Sequence, residues 1–168
     1  MNLYKKLGLI DETEIRLENN LKTIEKALIS FKASDDNIFL NQFSSDFTPK
    51  GLVLDNQKFN LTKEPRMFNP FSSSGEIEAE IFKSNERTLV KASIQSYYSF
   101  LIFMVVFGLF LWVLVFLFTP KMNLFDILLW FVFYQIIPTI YCFILRNQVK
   151  HLKSEFSEFM LKISKSYT

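Results

Sequence analysis

Two long apolar stretches stand apart from a chain whose other segments alternate or recur with regular periods. Phe100 to Phe118 and Ile127 to Leu145 each run for 19 residues without a charge. As helices rising 1.5 Å per residue, each reaches about 28 Å, close to a hydrocarbon core of about 30 Å. The link from Thr119 to Asp126 contains Pro120, which stops a helix, and two charges, Lys121 and Asp126. The pattern predicts a transmembrane hairpin over residues 98–145, with spans of about 100–118 and 127–145. Two buried helices of a soluble bundle would need polar stripes that the first stretch lacks.

The flanking segments have other periods. Asp11 and Glu14 resemble a capping box, and Leu17, Leu21, Ile24, Leu28 and Phe31 then recur at steps of four and three. This predicts an amphipathic helix over about 12–32, with Glu18 and Lys22 as a favourable i,i+4 pair. Farther on, Leu52 and Leu54 alternate before Asp55-Asn56-Gln57, and Phe59 and Leu61 after it, as in a hairpin. A short strand fits Ile38–Phe43, and Glu64–Gly75, with two prolines and three serines, reads as a loop. Ile77, Ala79 and Ile81 alternate with Glu76, Glu78 and Glu80, and Val90, Ala92 and Ile94 line the next strand. After the second span, Val149, Leu152, Phe156, Phe159 and Ile163 again recur at three and four, continuing that span as an amphipathic helix.

The expected class is therefore an α+β membrane protein. Residues 1–97 form a helix on a three- or four-stranded antiparallel sheet, 98–145 the hairpin, and 146–168 an amphipathic tail helix. Each apolar stripe fits either a core face or contact between protomers. Leu17, Leu21, Ile24, Leu28, Val149, Leu152, Phe156 and Phe159 are accordingly candidate oligomer contacts. Lys83, Arg87 and Lys91 precede the first span, and Arg146, Lys150 and Lys153 follow the second, against Lys121 alone in the link. That bias puts both termini in the cytoplasm, in a bacterial inner membrane, and no signal-peptide pattern opens the chain.

The succession of helix, hairpin, Asn69-Pro70-Phe71 loop, Gly75-led strand, Thr88-led strand and apolar hairpin resembles small bacterial two-span membrane proteins. The resemblance implies an architecture similar to a truncated helix-grip domain carried on two spans, and supplies no catalytic residue.

Composition narrows the functional classes. Of 168 residues 49% are apolar, but residues 98–145 hold 38 apolar positions in 48. One cysteine excludes a disulfide scaffold, and a net charge of +2 gives no nucleic-acid footprint. His151 is the single histidine and Cys142 has no thiol partner, so no metal or cofactor ligand set forms. Four glycines make no phosphate-binding run. Glu76, Glu78 and Glu80 share the solvent face of a strand. These features argue against an enzyme.

The polar residues of the second span carry the remaining chemistry. Gln135, Thr139, Cys142 and Arg146 fall on one helix face. Unpaired polar groups are costly in hydrocarbon, so this face serves either as inter-helix glue or as the lining of a water-filled path. Pro138 marks a candidate kink and Gly108 a candidate helix crossing. Two spans enclose no pathway alone, so conduction requires several protomers. The leading expectation is a small homo-oligomeric membrane protein whose cytoplasmic domain senses a ligand or protein partner and controls an ion-conducting or membrane-perturbing assembly, as in bacterial defence effectors. The alternative is a non-conducting accessory or scaffold subunit of a larger membrane complex. Five phenylalanines on loop-like segments (Phe39, Phe43, Phe47, Phe68 and Phe71) also need a surface to bury them.

Overall fold

The computed structural model describes residues 3–33, 47, 52–55, 57–63, 73–84, 87–118 and 123–166. A short helix α1 (Leu3–Lys6) precedes strand β1 (Ile10–Leu17) and helix α2 (Leu21–Ala33). Strands β2 (Leu52–Asp55), β3 (Lys58–Lys63), β4 (Gly75–Ser84) and β5 (Arg87–Gln95) follow, then helices α3 (Ser99–Phe118) and α4 (Leu124–Ser166). The five strands form one antiparallel sheet in the order β1-β5-β4-β3-β2.

Four strands lie where the two-residue alternation puts them; the fifth replaces expected helix. Residues 12–17 are strand, and α2 begins only at Leu21. Thr13, Ile15 and Leu17 satisfy a period of two, of which only Leu17 also starts the helical stripe, and β-branched residues favour the extended form. Pairing with β5 from Ile10↔Gln95 to Leu17↔Thr88 then fills one side of the backbone ladder. The cap of α2 is Asn20, not Asp11. Its Oδ1 accepts the Thr23 backbone N–H at 2.9 Å, satisfying a donor that the first turn leaves open.

One face of the sheet is apolar. Ile15, Leu17, Phe59, Leu61, Ile77, Ile81, Val90 and Ile94 are buried there beneath α2 and the C-terminal part of α4. The α4 residues that join this core are Val149, Leu152, Phe156, Phe159, Met160 and Ile163, all at most 1% exposed. Phe31 meets Phe159 edge-on, with ring centroids 5.0 Å apart. From Val149 to Ile163 the stretch expected as a tail helix therefore contributes to the sheet's core. The eight candidate oligomer contacts are also re-placed. Leu17, Ile24, Leu28, Val149, Leu152, Phe156 and Phe159 are buried within one chain, and Leu21 packs against the same core. Their apolar faces are used up before any second protomer arrives.

Phe47 belongs to this core at 1% exposure, with its ring 5.4 Å from Phe159. It is the loop phenylalanine whose covering surface is described; the other four, the strand expected at Ile38–Phe43 and the Asn69-Pro70-Phe71 loop lie outside the described residues. At the far end, the Asn19 amide donates to the Ser164 carbonyl at 2.9 Å, and the Ser164 hydroxyl donates back to Asn19 Oδ1 at 2.8 Å. Thr88 Oγ1 donates to the Asn19 carbonyl at 2.7 Å. Those bonds pin the end of α4 to the β1–α2 turn, and that turn to β5.

Candidate functional site

Only three residues separate β5 from α3, so the sheet's last strand delivers the chain directly to an apolar helix pair. The start of α3 meets the middle of α4: Leu101 is buried with Leu145, and farther along α3 Gly108 faces Tyr134. The two helices therefore run in opposite directions. A Cβ at Gly108 would overlap the Tyr134 ring, so this glycine is where the helices approach closely. Much of the pair's described surface is exposed. Phe103, Val106, Leu109, Phe110, Leu128, Leu129 and Phe143 are all more than half exposed, and Phe103 and Phe107 stack on one another at 5.5 Å.

Among the described residues α4 is long and apolar enough to cross a membrane, and 6% of its most apolar 18-residue stretch is buried. A core helix of a soluble protein with the same composition would be mostly covered. Contiguous exposed apolar surface of this kind marks contact with a membrane or with another protein.

A small second core joins the sheet to the helix pair. Leu9, Leu101 and Leu145 are buried together, with Tyr4, Tyr98, Tyr141 and Cys142 packed around them. Tyr4 and Tyr98 stack with centroids 4.6 Å apart. The short helix α1 is held here by its terminating turn. Gly8 N–H donates to the Lys5 carbonyl and Leu9 N–H to the Tyr4 carbonyl, with Gly8 at φ 72°. That pair of bonds with a left-handed glycine closes a helix C-terminus at little steric cost.

The polar face of α4 is divided. Gln135 is exposed, and Thr139 is exposed but donates its hydroxyl to the Gln135 carbonyl at 2.6 Å. Cys142 is partly buried in the second core, while Arg146 is exposed with its stem against Gly8. The helix continues through Pro138. Pro138, Thr139, Cys142 and Arg146 share one shallow groove of about 470 Å³ with Lys6, Leu101 and Val105; Gln135 lies outside it.

Two polar connections that sequence reasoning missed fasten α4 to the sheet. Lys63, 3% exposed, contacts Glu155 Oε2 at 2.6 Å and Ser73 Oγ at 2.7 Å, and lies over the Phe47 ring at 5.7 Å. Ser73 donates to the same carboxylate oxygen at 2.7 Å. In the sequence, Lys63 sits in phase with Phe59 and Leu61, on the inward face of β3, and that phase was the available signal. The second connection is Lys153, which donates to Asp11 Oδ2 at 2.8 Å and to the Glu12 carbonyl at 3.0 Å.

Partial burial would raise the Asp11 carboxyl's pKa. The Lys153 hydrogen bond, the Glu12 backbone N–H and the nearby charges of Lys153 and Lys5 outweigh it and hold the carboxyl below the ordinary value of 3.8. A carboxylate whose folded pKa is depressed stabilises the fold above its unfolded pKa. That contribution disappears as pH falls through the lower folded value. Acid titration followed by hydrogen exchange should therefore loosen β1 below about pH 4. Asp11→Asn should remove that part of the pH dependence.

The sheet's outer face is a ladder of exposed charges. Glu14, Lys91, Glu80 and Lys58 lie opposite one another across four strands, with ion pairs Lys91–Glu14 at 3.1 Å and Lys58–Glu80 at 2.5 Å. The Glu80 carboxylate holds the Lys58 ammonium above its usual pKa. Such exposed pairs contribute little to stability, but they keep the face soluble. Among the described residues, no group of histidine, cysteine, aspartate or glutamate is placed to hold a metal ion. No protein-family model, curated protein or solved structure matches this chain.

Proposed function

We propose that the chain is an integral membrane protein in which α3 and α4 cross the bilayer as a hairpin. On this reading the sheet domain lies on the cytoplasmic side and controls a homo-oligomeric, ion-conducting assembly. The observation that carries the reading is α4, one 43-residue helix that leaves the exposed apolar pair and becomes the centre of the sheet's core. A ligand or partner that shifts the sheet domain would move α4 with it, since a packed core transmits displacement rather than absorbing it.

Charge and polarity support the remaining parts. Lys5 and Lys6 on α1 join Arg146 and Lys150 at one end of the helix pair, the cytoplasmic end by the bias of basic residues. Gln135 is exposed on α4 in the apolar region, where an amide is costly without hydrogen-bond partners. A second copy supplies such partners, so Gln135 is the contact through which protomers associate. With the amphipathic stripes already buried, assembly rests on the membrane helices.

Purified full-length protein should run as one defined oligomer in mild detergent and give stepwise currents in planar bilayers. Gln135→Leu should reduce both, whereas Gly108→Leu should break the hairpin through collision with Tyr134. A monodisperse monomer with silent bilayers would overturn the assembly reading. So would a stoichiometric second protein retained through purification, the mark of an accessory subunit.

A further inference from the structure

We infer that the groove between α1, α3 and α4 is a binding site for one anionic phospholipid, with its phosphate on Lys6 and Arg146. The inference rests on the membrane reading and adds a ligand to it. The groove combines two kinds of lining. Lys6 and Arg146 supply its basic lining, and Leu101, Val105, Pro138 and Phe143 supply apolar lining.

Both cations line the groove, and Arg146 is brought to the α1 side of it for a structural reason. Gly8 has no Cβ, and one placed there would come within 3.0 Å of Arg146 Cγ and 3.2 Å of its Cδ and Nε. The Arg146 stem therefore lies against the turn that ends α1, two residues from Lys6. Neither cation has a carboxylate partner among the described residues, unlike Lys5 with Glu12, Lys63 with Glu155 and Lys153 with Asp11. An unpaired lysine and arginine beside an apolar channel complement a phosphate joined to an acyl chain. Guanidinium geometry suits phosphate oxygens, and basic pockets between membrane helices on the cytoplasmic side hold anionic headgroups. The tyrosines Tyr4 and Tyr98, stacked beside the groove, are the amphipathic rings that favour this depth.

The test uses the full-length chain in phosphatidylcholine vesicles carrying spin-labelled phosphatidylglycerol or spin-labelled phosphatidylcholine. The protein-restricted fraction should favour phosphatidylglycerol. Lys6→Ala and Arg146→Ala should each weaken that preference about fivefold, and the double variant should abolish it. Lys150→Ala, an exposed charge on α4 outside the groove, should leave it unchanged. Equal restriction of the two lipids, or an equal loss with Lys150→Ala, would overturn the lipid site. Alkaline extraction of the same vesicles separates the two failures. Protein that resists extraction but shows no preference refutes the lipid site alone; protein that is extracted refutes the membrane reading and the site together.

Discussion

Replacing Phe159 by alanine is expected to cost the sheet domain about 3–5 kcal/mol, the range for deleting a buried aromatic. Phe159 is fully buried at the meeting point of α2, α4 and the plug residue Phe47, with ring contacts on Phe31 and Phe47. Truncation would leave a void lined by the rings of Phe31 and Phe47. Domains of this size are stable by about 5–15 kcal/mol, so a loss on that scale should open the sheet measurably. Hydrogen exchange of β4 and β5 amides in detergent-solubilised protein reads it directly. Leu161, two residues on but 45% exposed, is the control, and Leu161→Ala should change stability by no more than about 0.5 kcal/mol. Equal effects at the two positions would mean that the end of α4 is not part of the core.

The second large effect is expected at the buried ion pair. Glu155→Ala removes the carboxylate that faces Lys63 and leaves an ammonium 3% exposed among Phe47, Ser73 and the sheet. Breaking one side of a buried pair typically costs about 3–5 kcal/mol, because the abandoned charge stays out of water. Glu155 is itself 35% exposed, so water reaches its side of the pair and the lower end of that range is expected. Replacing both partners by apolar residues, Lys63→Met with Glu155→Leu, should recover most of the loss. A double-mutant cycle by denaturant titration gives the coupling, and single-variant losses that simply add would exclude a direct interaction.

These residues also show where the sequence was informative. The hairpin of β2 and β3 and the strands β4 and β5 were legible because their alternation has one solution: a shift by one residue would put Glu78 and Glu80 into the core. The apolar helices were legible by length and composition. Residues 12–17 were misleading because Leu17 fits both a helix stripe and a strand face. What decided the outcome was the free edge of β5, a partner far away in the sequence. The stripe from Val149 to Ile163 was visible, but one chain's periodicity does not name the surface that covers it. Burial under the sheet removed those residues, with Leu17, Ile24 and Leu28, from the candidate protomer contacts. In the candidate site, the helical spacing of Gln135, Thr139, Cys142 and Arg146 suggested one polar face. Tertiary packing divided it, leaving Gln135 exposed outside the groove and drawing Arg146 toward Gly8. The contribution of α1 to that groove had no periodic signal in four residues.

The joined arrangement also explains why α4 needs two polar fastenings. Asp11 with Lys153 and Lys63 with Glu155 hold two well-separated strands of the sheet, the edge strand β1 and the inner strand β3, to one helix. Both lie on the part of α4 that follows the apolar stretch. A force along α4 is thus shared between two strands instead of sliding the helix over an oily surface. That suits a helix with one exposed apolar part and one part buried in the sheet's core.

Site-directed labelling tests the membrane hairpin most directly. In a Cys142→Ser background, Lys121→Cys places a thiol in the stretch of sequence that links α3 to α4, and Glu78→Cys places one on the sheet's outer face. In spheroplasts, a membrane-impermeant maleimide should label the first and reach the second only after lysis. Labelling of both in intact spheroplasts, or of neither until lysis with the protein released by alkaline washing, would contradict the account.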